Sequence, residues 1–191
     1  MEPTHPSINR RAALKRLALL TGGALSASTV AAIMSGCQPR ADGAAAWQPR
    51  VLQGDQVETL ATAADLIIPP TDTPGARAAG VHEYIDMMLA DFHDATYRAE
   101  FIAGVDGIEA TAQATHGVAF TALEEADQVA LLSAMESAED AFWAMLKGQV
   151  IVGYYTSELG ATQELQHRRV PGQFMGCIPI ADAGNGRTWA E

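Results

Sequence analysis

The chain has 191 residues, which is enough for one modest domain but not for a second large module. Its 12 basic and 23 acidic residues give a formal charge of -11, which argues against nucleic-acid binding because phosphate recognition needs clustered Lys and Arg. Two cysteines are too few for a disulfide framework or a four-cysteine zinc site. A hydrophobic fraction of 48% is ordinary for a folded protein.

Residues 1–36 have the pattern of an export signal. A basic cluster precedes a charge-free, largely apolar stretch at residues 17–35. The cluster contains the residues that are typical of a twin-arginine signal, which directs folded proteins across the bacterial inner membrane: Arg10, Arg11, Leu14 and Lys15. The alternative is an uncleaved membrane anchor, because the stretch approaches the roughly 20 residues that span a bilayer. Its Gly, Ser and Thr content favours the export signal.

The end of this segment predicts a lipid-modified cysteine. Ser35 and Gly36 directly precede Cys37, as in the lipobox of lipoproteins, although Met34 stands where Leu is usual. Acylation of Cys37 would attach the protein to one membrane leaflet without spanning the bilayer. Ordinary cleavage near residues 44–46 is the alternative. Residues 37–50 contain Pro, Gly and Ala without periodicity, and we interpret them as a tether.

Residues 51–191 form the predicted folded domain, and its first part contains three helices. Apolar residues recur at helical spacing in residues 55–68 and again in residues 81–89. The Pro- and Gly-rich residues 69–76 between them have the composition of a turn. A third helix is predicted to begin after Asp94.

Two more helices and a tail complete the predicted domain. Thr121 and Glu124 have the spacing of a capping box and predict the start of a fourth helix. The fifth helix is predicted over residues 138–157, with Tyr154 on its inward stripe. After Gly160 there is no periodicity and no alternating strand pattern. The sequence therefore predicts an all-α fold, a small bundle of about five helices with a long irregular C-terminal tail.

Cofactor and metal motifs are missing from this sequence. It contains no GxGxxG, no GxxxxGK[ST] and no CxxCH. His82 and Glu83 begin like a zinc-protease motif, but Asp86 occupies the position of the second histidine, so a solvated helix edge is the preferred interpretation. Asp65, Asp86 and Asp91 are interpreted as solvated surface carboxylates. We therefore expect no catalytic, cofactor-binding or metal-binding residue in this chain.

Two stretches contain residue types that suit a docking surface. Residues 67–81 form a loop bracketed by prolines and glycines, and residues 153–160 and then 170–177 bring aromatic, Met and Cys residues into an irregular tail. Aromatic residues and Met are enriched at protein interfaces, although they could also cover the bundle core. The candidate partner contacts are Tyr154, Tyr155, Phe174 and Met175.

These stretches resemble a known family, the small third subunits of gluconate 2-dehydrogenase and related membrane-associated sugar dehydrogenases. The resemblance extends from about Leu60 to Cys177 and rests on separated segments in the same order: IIPPTDTPGA followed by AGV, then YID, GYYTSELGA and VPGQFMGC. It implies a subunit that binds no cofactor itself and assembles with a large FAD-bearing catalytic subunit of the glucose-methanol-choline type. Electrons would then pass to haem c in a multihaem cytochrome subunit.

The resemblance also implies an export function. The signal of the small subunit would carry the signal-less catalytic subunit through the twin-arginine translocase, which places the complex in the periplasm at the membrane. The lipobox at Cys37 departs from the family's pattern. A second hypothesis remains open, a free-standing periplasmic lipoprotein that binds a small ligand in its bundle.

Cys177 has two interpretations. If Cys37 is acylated, Cys177 is the only thiol left in a protein exported to an oxidising compartment. It is then either a buried, inert thiol or one half of a disulfide to the catalytic subunit. The adjacent Gly176 favours the disulfide because it permits close backbone approach.

Overall fold

The structure, a computed structural model, describes residues 47–170, 172–173, 177–182 and 186–190. Five α-helices follow one another in this part of the chain: α1 (Gly54–Ile67), α2 (Val81–Asp91), α3 (Ala95–His116), α4 (Glu125–Ser137) and α5 (Ala141–Thr156). Short turns of 3-10 helix occur at Phe120–Ala122 and Ile180–Asp182, and a π-helical turn follows α5 at Gly160–Glu164. The predicted all-α bundle of about five helices is confirmed. The compact unit formed by these residues begins at Gln48.

Helices α1, α3 and α5 form the centre of the bundle, because each of them contacts all four of the other helices. The core between them is made of aliphatic and aromatic side chains, each of which stabilises the fold by about 1.5–3 kcal/mol when fully buried. Phe101 of α3 packs edge-on against Phe142 of α5, with 5.3 Å between the ring centroids. Gly104 makes this packing possible, since a Cβ there would collide with the Phe142 ring.

Capping side chains set two of the helix starts. Asp94 accepts a hydrogen bond from the N–H of Tyr97 at 2.9 Å, which confirms the predicted start of α3. Asp140 accepts from the N–H of Phe142 at 2.8 Å and begins α5. The predicted capping box at Thr121 is wrong.

Thr121 lies within the 3-10 turn, and the N-cap of α4 is Glu124, with no side-chain cap hydrogen bond. The cause is a local anchor: Phe120 is fully buried, and Gln128 donates to its carbonyl oxygen at 2.9 Å. This anchor holds the chain in a separate turn, so the helix begins only after the backbone has extended through Leu123.

The longest described helix is α3, with 22 residues. Its sequence includes Arg98, Glu100, Asp106 and Glu109, so it is amphipathic rather than uniformly apolar. Within the described ranges, no helix combines the length and the apolar character needed to cross a membrane.

Candidate partner-binding surface

The first residues of the folded domain are fastened to helix α2 by two aspartates. The side chain of Asp86 is completely buried, with 0% exposure. Its carboxylate accepts hydrogen bonds from the backbone N–H groups of Arg50, Val51 and Leu52, at distances of 2.7, 3.0 and 2.9 Å. At the surface, Asp91 accepts two hydrogen bonds from the Arg50 guanidinium at 2.6 and 2.7 Å. We refer to Asp86 and the three backbone N–H groups as the N-terminal clamp.

The clamp corrects the interpretation of Asp86 as a solvated carboxylate. A carboxylate has only acceptor atoms, so burial is tolerated only where N–H or O–H donors surround it, and the clamp supplies three. Asp91 is exposed as expected. The hydrogen bond from Arg50 lowers the pKa of Asp91, and the same bond raises the pKa of the Arg50 guanidinium. The role of Asp86 is therefore structural, since it fixes the path by which the chain enters the bundle.

The Pro- and Gly-rich loop at residues 67–81 folds back onto helix α1. The N–H of Arg77 donates to the Asp65 carboxylate at 3.0 Å, so Asp65, which is half-buried, also holds backbone rather than facing only water. Gly75 occupies the tightest part of the loop, where a Cβ would lie 2.8 Å from the Pro70 nitrogen. Only glycine fits such a close approach of backbone to backbone.

The same loop contacts the chain at and beyond the end of α5, so two of the segments that carried the resemblance meet in space. The Tyr154 hydroxyl donates to the carbonyl oxygen of Pro74 at 2.8 Å, and the Thr73 hydroxyl donates to Glu164 Oε2 at 2.9 Å. These pairs are 80 and 91 positions apart in sequence. Gly160 is required beside them because a Cβ would collide with the Tyr154 carbonyl oxygen. The two segments form an internal tie across the bundle.

Tyr154 is therefore a core residue, with 2% exposure. Its predicted place on the inward stripe of the fifth helix is confirmed. The interpretation of Tyr154 as a partner contact is wrong, because its ring offers no surface and its hydroxyl is used inside the chain. The next residue, Tyr155, is 39% exposed, and its ring meets that of Tyr154 edge-on with 5.3 Å between centroids. Tyr155 remains a candidate contact.

The far end of the C-terminal tail is held by residues that follow α5. The N–H of Gln166 donates to the carbonyl oxygen of Thr188 at 2.7 Å. The Arg187 guanidinium donates to the carbonyl oxygens of Thr162 and Gln163 at 3.0 and 2.7 Å, the unpaired acceptors left at the end of the π-helical turn. The tail is irregular as predicted, yet its end is fixed against the residues that follow α5.

Cys177 is the candidate residue of the C-terminal tail that lies within the described residues. Its side chain is exposed, and it forms no disulfide within the described part of the chain. The alternative of a buried, inert thiol is therefore wrong. The other predicted site residues lie outside the described residues: Arg10, Arg11, Leu14, Lys15, Cys37, Phe174 and Met175.

Two open grooves are found in the described ranges, and no metal cluster is found there. No group of three His, Cys, Asp or Glu side chains there could hold a metal ion. An open groove of about 490 Å³ lies between the loop after α1 and the start of α4. Two of its polar side chains are engaged within the chain, since Arg77 donates to Glu58 at 3.0 Å and Gln128 donates to the carbonyl oxygen of Phe120. A second open groove, of about 210 Å³, lies between α1, α4 and α5.

Comparison with protein-family models gives a match over most of the folded domain. The family model for gluconate 2-dehydrogenase subunit 3 matches residues 54–172, which is more than half of the chain and includes all five helices. The matched region also contains both segments of the internal tie. Comparisons with curated proteins and with solved structures gave no match. The chain therefore belongs to the gluconate 2-dehydrogenase subunit 3 family.

Proposed function

We propose that this chain is the non-catalytic small subunit of a periplasmic, membrane-associated sugar or sugar-acid dehydrogenase. Its partner is a large FAD-dependent catalytic subunit of the glucose-methanol-choline type, which passes electrons to a multihaem cytochrome c. The small subunit serves assembly, and its twin-arginine signal escorts the catalytic subunit through the translocase. Cys37 is acylated and ties the complex to the membrane.

One observation carries this proposal. The chain that matches the gluconate 2-dehydrogenase subunit 3 family also has a twin-arginine pattern at Arg10 and Arg11. The placement of the carboxylates supports a non-catalytic role. Asp86 and Asp65, which could be taken for an acid and a base, each bind backbone N–H groups of this chain. A carboxylate held in this way stabilises the fold and is not positioned to exchange protons with a substrate.

The alternative, a lone lipoprotein that binds a small ligand, finds less support. Ligand pockets are concave sites that enclose most of the ligand and present a few convergent polar groups. The two described grooves are open, and the Arg77 and Gln128 side chains of the larger one already have partners within the chain. This geometry favours a subunit whose surface, rather than an interior cavity, performs the function.

Co-purification tests the proposal. Full-length chain carrying a C-terminal tag is expressed in its native cells, and the membrane and periplasmic fractions are purified under mild conditions. We expect a flavoprotein to be retained with the tagged chain and to be detected by the visible absorption of its flavin. A tagged chain that elutes alone, with no flavin and no c-type haem, would support the lone lipoprotein instead.

We further propose that Cys177 forms a disulfide with the catalytic subunit. Its exposed side chain is accessible to another chain, and exported proteins occupy an oxidising compartment where such bonds persist. Cys177 also follows the tail candidates Phe174 and Met175 closely in sequence, so the covalent bond and the apolar contacts would belong to one docking segment.

Substitution of Cys177 with Ser is expected to remove this bond. On electrophoresis without reductant, the parent complex should run as one band containing both subunits, and the Cys177→Ser complex should run as two. The Cys37→Ser complex, which keeps Cys177, should still give one band and is the matched control. Two separate bands from the untreated parent would show that Cys177 pairs with nothing in the complex.

A further inference from the structure

The outward face of helix α5 is apolar although it is exposed to solvent. A helix on the surface of a bundle normally has a polar outer face. The inward side of α5 is buried as expected, but the residues that recur at helical spacing on its other side are exposed and carry no charge. Ile151 is 40% exposed and Val152 50%. We call this set the α5 stripe: Ala144, Gly148, Ile151, Val152 and Tyr155.

The lack of acidic residues in this helix is unusual for so acidic a chain. The chain has 23 Asp and Glu residues, yet none lies between Ala141 and Ser157. The single charge on α5 is Lys147, which is engaged by Glu136 at 2.6 Å. The α5 stripe is bracketed along the helix by two exposed acidic residues, Asp140 and Glu158. The stripe is therefore an uncharged strip with an acidic group at each end.

Gly148 lies in the middle of the stripe, and no contact within the described part of the chain requires a glycine there. A Cβ there would meet nothing within 4 Å, whereas Gly153 on the same helix is required because a Cβ would lie 2.7 Å from the Tyr84 ring. Glycine inside a helix is unfavourable relative to other residues. Close approach of another backbone would explain Gly148, since small residues such as Ala144 and Gly148 let a partner's main chain reach the helix.

We propose that the α5 stripe is the surface on which the FAD-bearing catalytic subunit docks. The inference rests on the proposed function, because membership in a family of enzyme subunits means that another subunit must cover part of this chain. The partner surface that complements the α5 stripe is an apolar patch flanked by basic groups that face Asp140 and Glu158. Tyr155, at one end of the stripe, is of the residue type enriched at the energetic centre of interfaces.

Charge favours the catalytic subunit over two other possible occupants of the α5 stripe, a second copy of this chain and a membrane leaflet. A second copy of this chain would bring together two strongly acidic molecules, whose acidic ends repel each other across an apolar contact. A membrane leaflet rich in anionic lipid repels the same charge, and the stripe has no ring of Lys or Arg to offset it. A different protein with basic groups around its apolar patch meets neither obstacle.

Two substitutions and two matched controls test the proposal in the full-length chain, with the flavoprotein that co-purifies with the parent as the probe. Gly148→Leu and Val152→Glu are expected to lower the retained flavoprotein by about tenfold, as substitutions at the centre of an interface do. The controls are Gly107→Leu on α3, where a Cβ also meets nothing, and Val129→Glu on α4, where the valine is likewise exposed. Both controls should retain the parent's amount.

Thermal unfolding of the purified small subunit separates loss of docking from loss of folding. Leu is a better helix former than Gly, so Gly148→Leu should unfold at a temperature equal to the parent's or higher by about 2–4 °C. Loss of flavoprotein without loss of stability then assigns the effect to the surface.

Each other outcome overturns the proposal. If the parent retains flavoprotein and both stripe variants retain as much, the interface lies elsewhere and the proposed function stands. If even the parent retains none, the proposed function fails and the docking inference with it. If light scattering finds a dimer of the lone subunit that Gly148→Leu dissociates, the occupant is a second copy. Flotation of the parent, but not of Val152→Glu, with phosphatidylglycerol vesicles would assign the stripe to the membrane.

Discussion

Replacing Asp86 with Ala is expected to destabilise the domain by about 3 kcal/mol or more, because three backbone N–H groups in or near the protein interior lose their acceptor at once. For a domain of this size the midpoint of thermal unfolding should fall by roughly 10 °C. Circular dichroism at the helical band, recorded during heating of the mature protein, measures the change. An unchanged midpoint would mean that the clamp contributes nothing to the stability of the fold.

Two other substitutions show whether the loss comes from the buried hydrogen bonds. In Asp86→Asn, one oxygen remains and can keep the bonds to Val51 and Leu52, which both bind Oδ1, so the loss should be about 1–2 kcal/mol. Asp91→Ala removes only the exposed ion pair with Arg50 and should change the midpoint little. A larger effect from Asp91→Ala than from Asp86→Ala would assign the stability to the ion pair instead.

Changing Arg10 and Arg11 together to Lys is expected to leave nearly all of the protein, and the dehydrogenase activity of its partner, in the cytoplasm. Lysine keeps the charge of the cluster but lacks the planar guanidinium, so the substitution tests recognition rather than electrostatics. Fractionation of cells into cytoplasm, periplasm and membrane, with activity measured in each, gives the result. Periplasmic activity at the parent's level would contradict the escort function.

Cys37→Ser is the matched control for this experiment. It leaves both arginines in place, so the complex should still be exported, but without an acyl chain the mature protein should move from the membrane to the soluble periplasmic fraction. If Cys37→Ser fractionates with the membrane as the parent does, then Cys37 is not the anchor.

The sequence was sufficient for the order and approximate bounds of the helices. The helix predicted over residues 55–68 spans Gly54–Ile67, and the one predicted over residues 138–157 spans Ala141–Thr156. These predictions succeeded because each helix buries one face, and burial leaves apolar residues at helical spacing in the sequence. The start of α4 was missed because it depends on a hydrogen bond from Gln128 to Phe120.

The N-terminal clamp could not be predicted, because the partners of Asp86 are backbone N–H groups. Backbone groups leave no trace in residue type, and these are 34 to 36 positions away in sequence. The one signal in the sequence was the position of Asp86 on helix α2. Asp86 follows Ile85 directly and precedes Leu89 by less than one turn, so it lies at the edge of the buried apolar face of that helix. Tyr154 shows the opposite case, since its periodicity correctly predicted burial and the more specific interpretation as a docking residue was wrong.

The internal tie between residues 73–74 and residues 154–164 has a consequence for when the domain is completed during synthesis. Its contacts join positions 80 and 91 apart, and such non-local contacts form late because a long chain must first be closed into a loop. The loop at residues 67–81 therefore gains these contacts only after residues 154–164 have been synthesised, and a partner that recognises the completed bundle can bind only after that point.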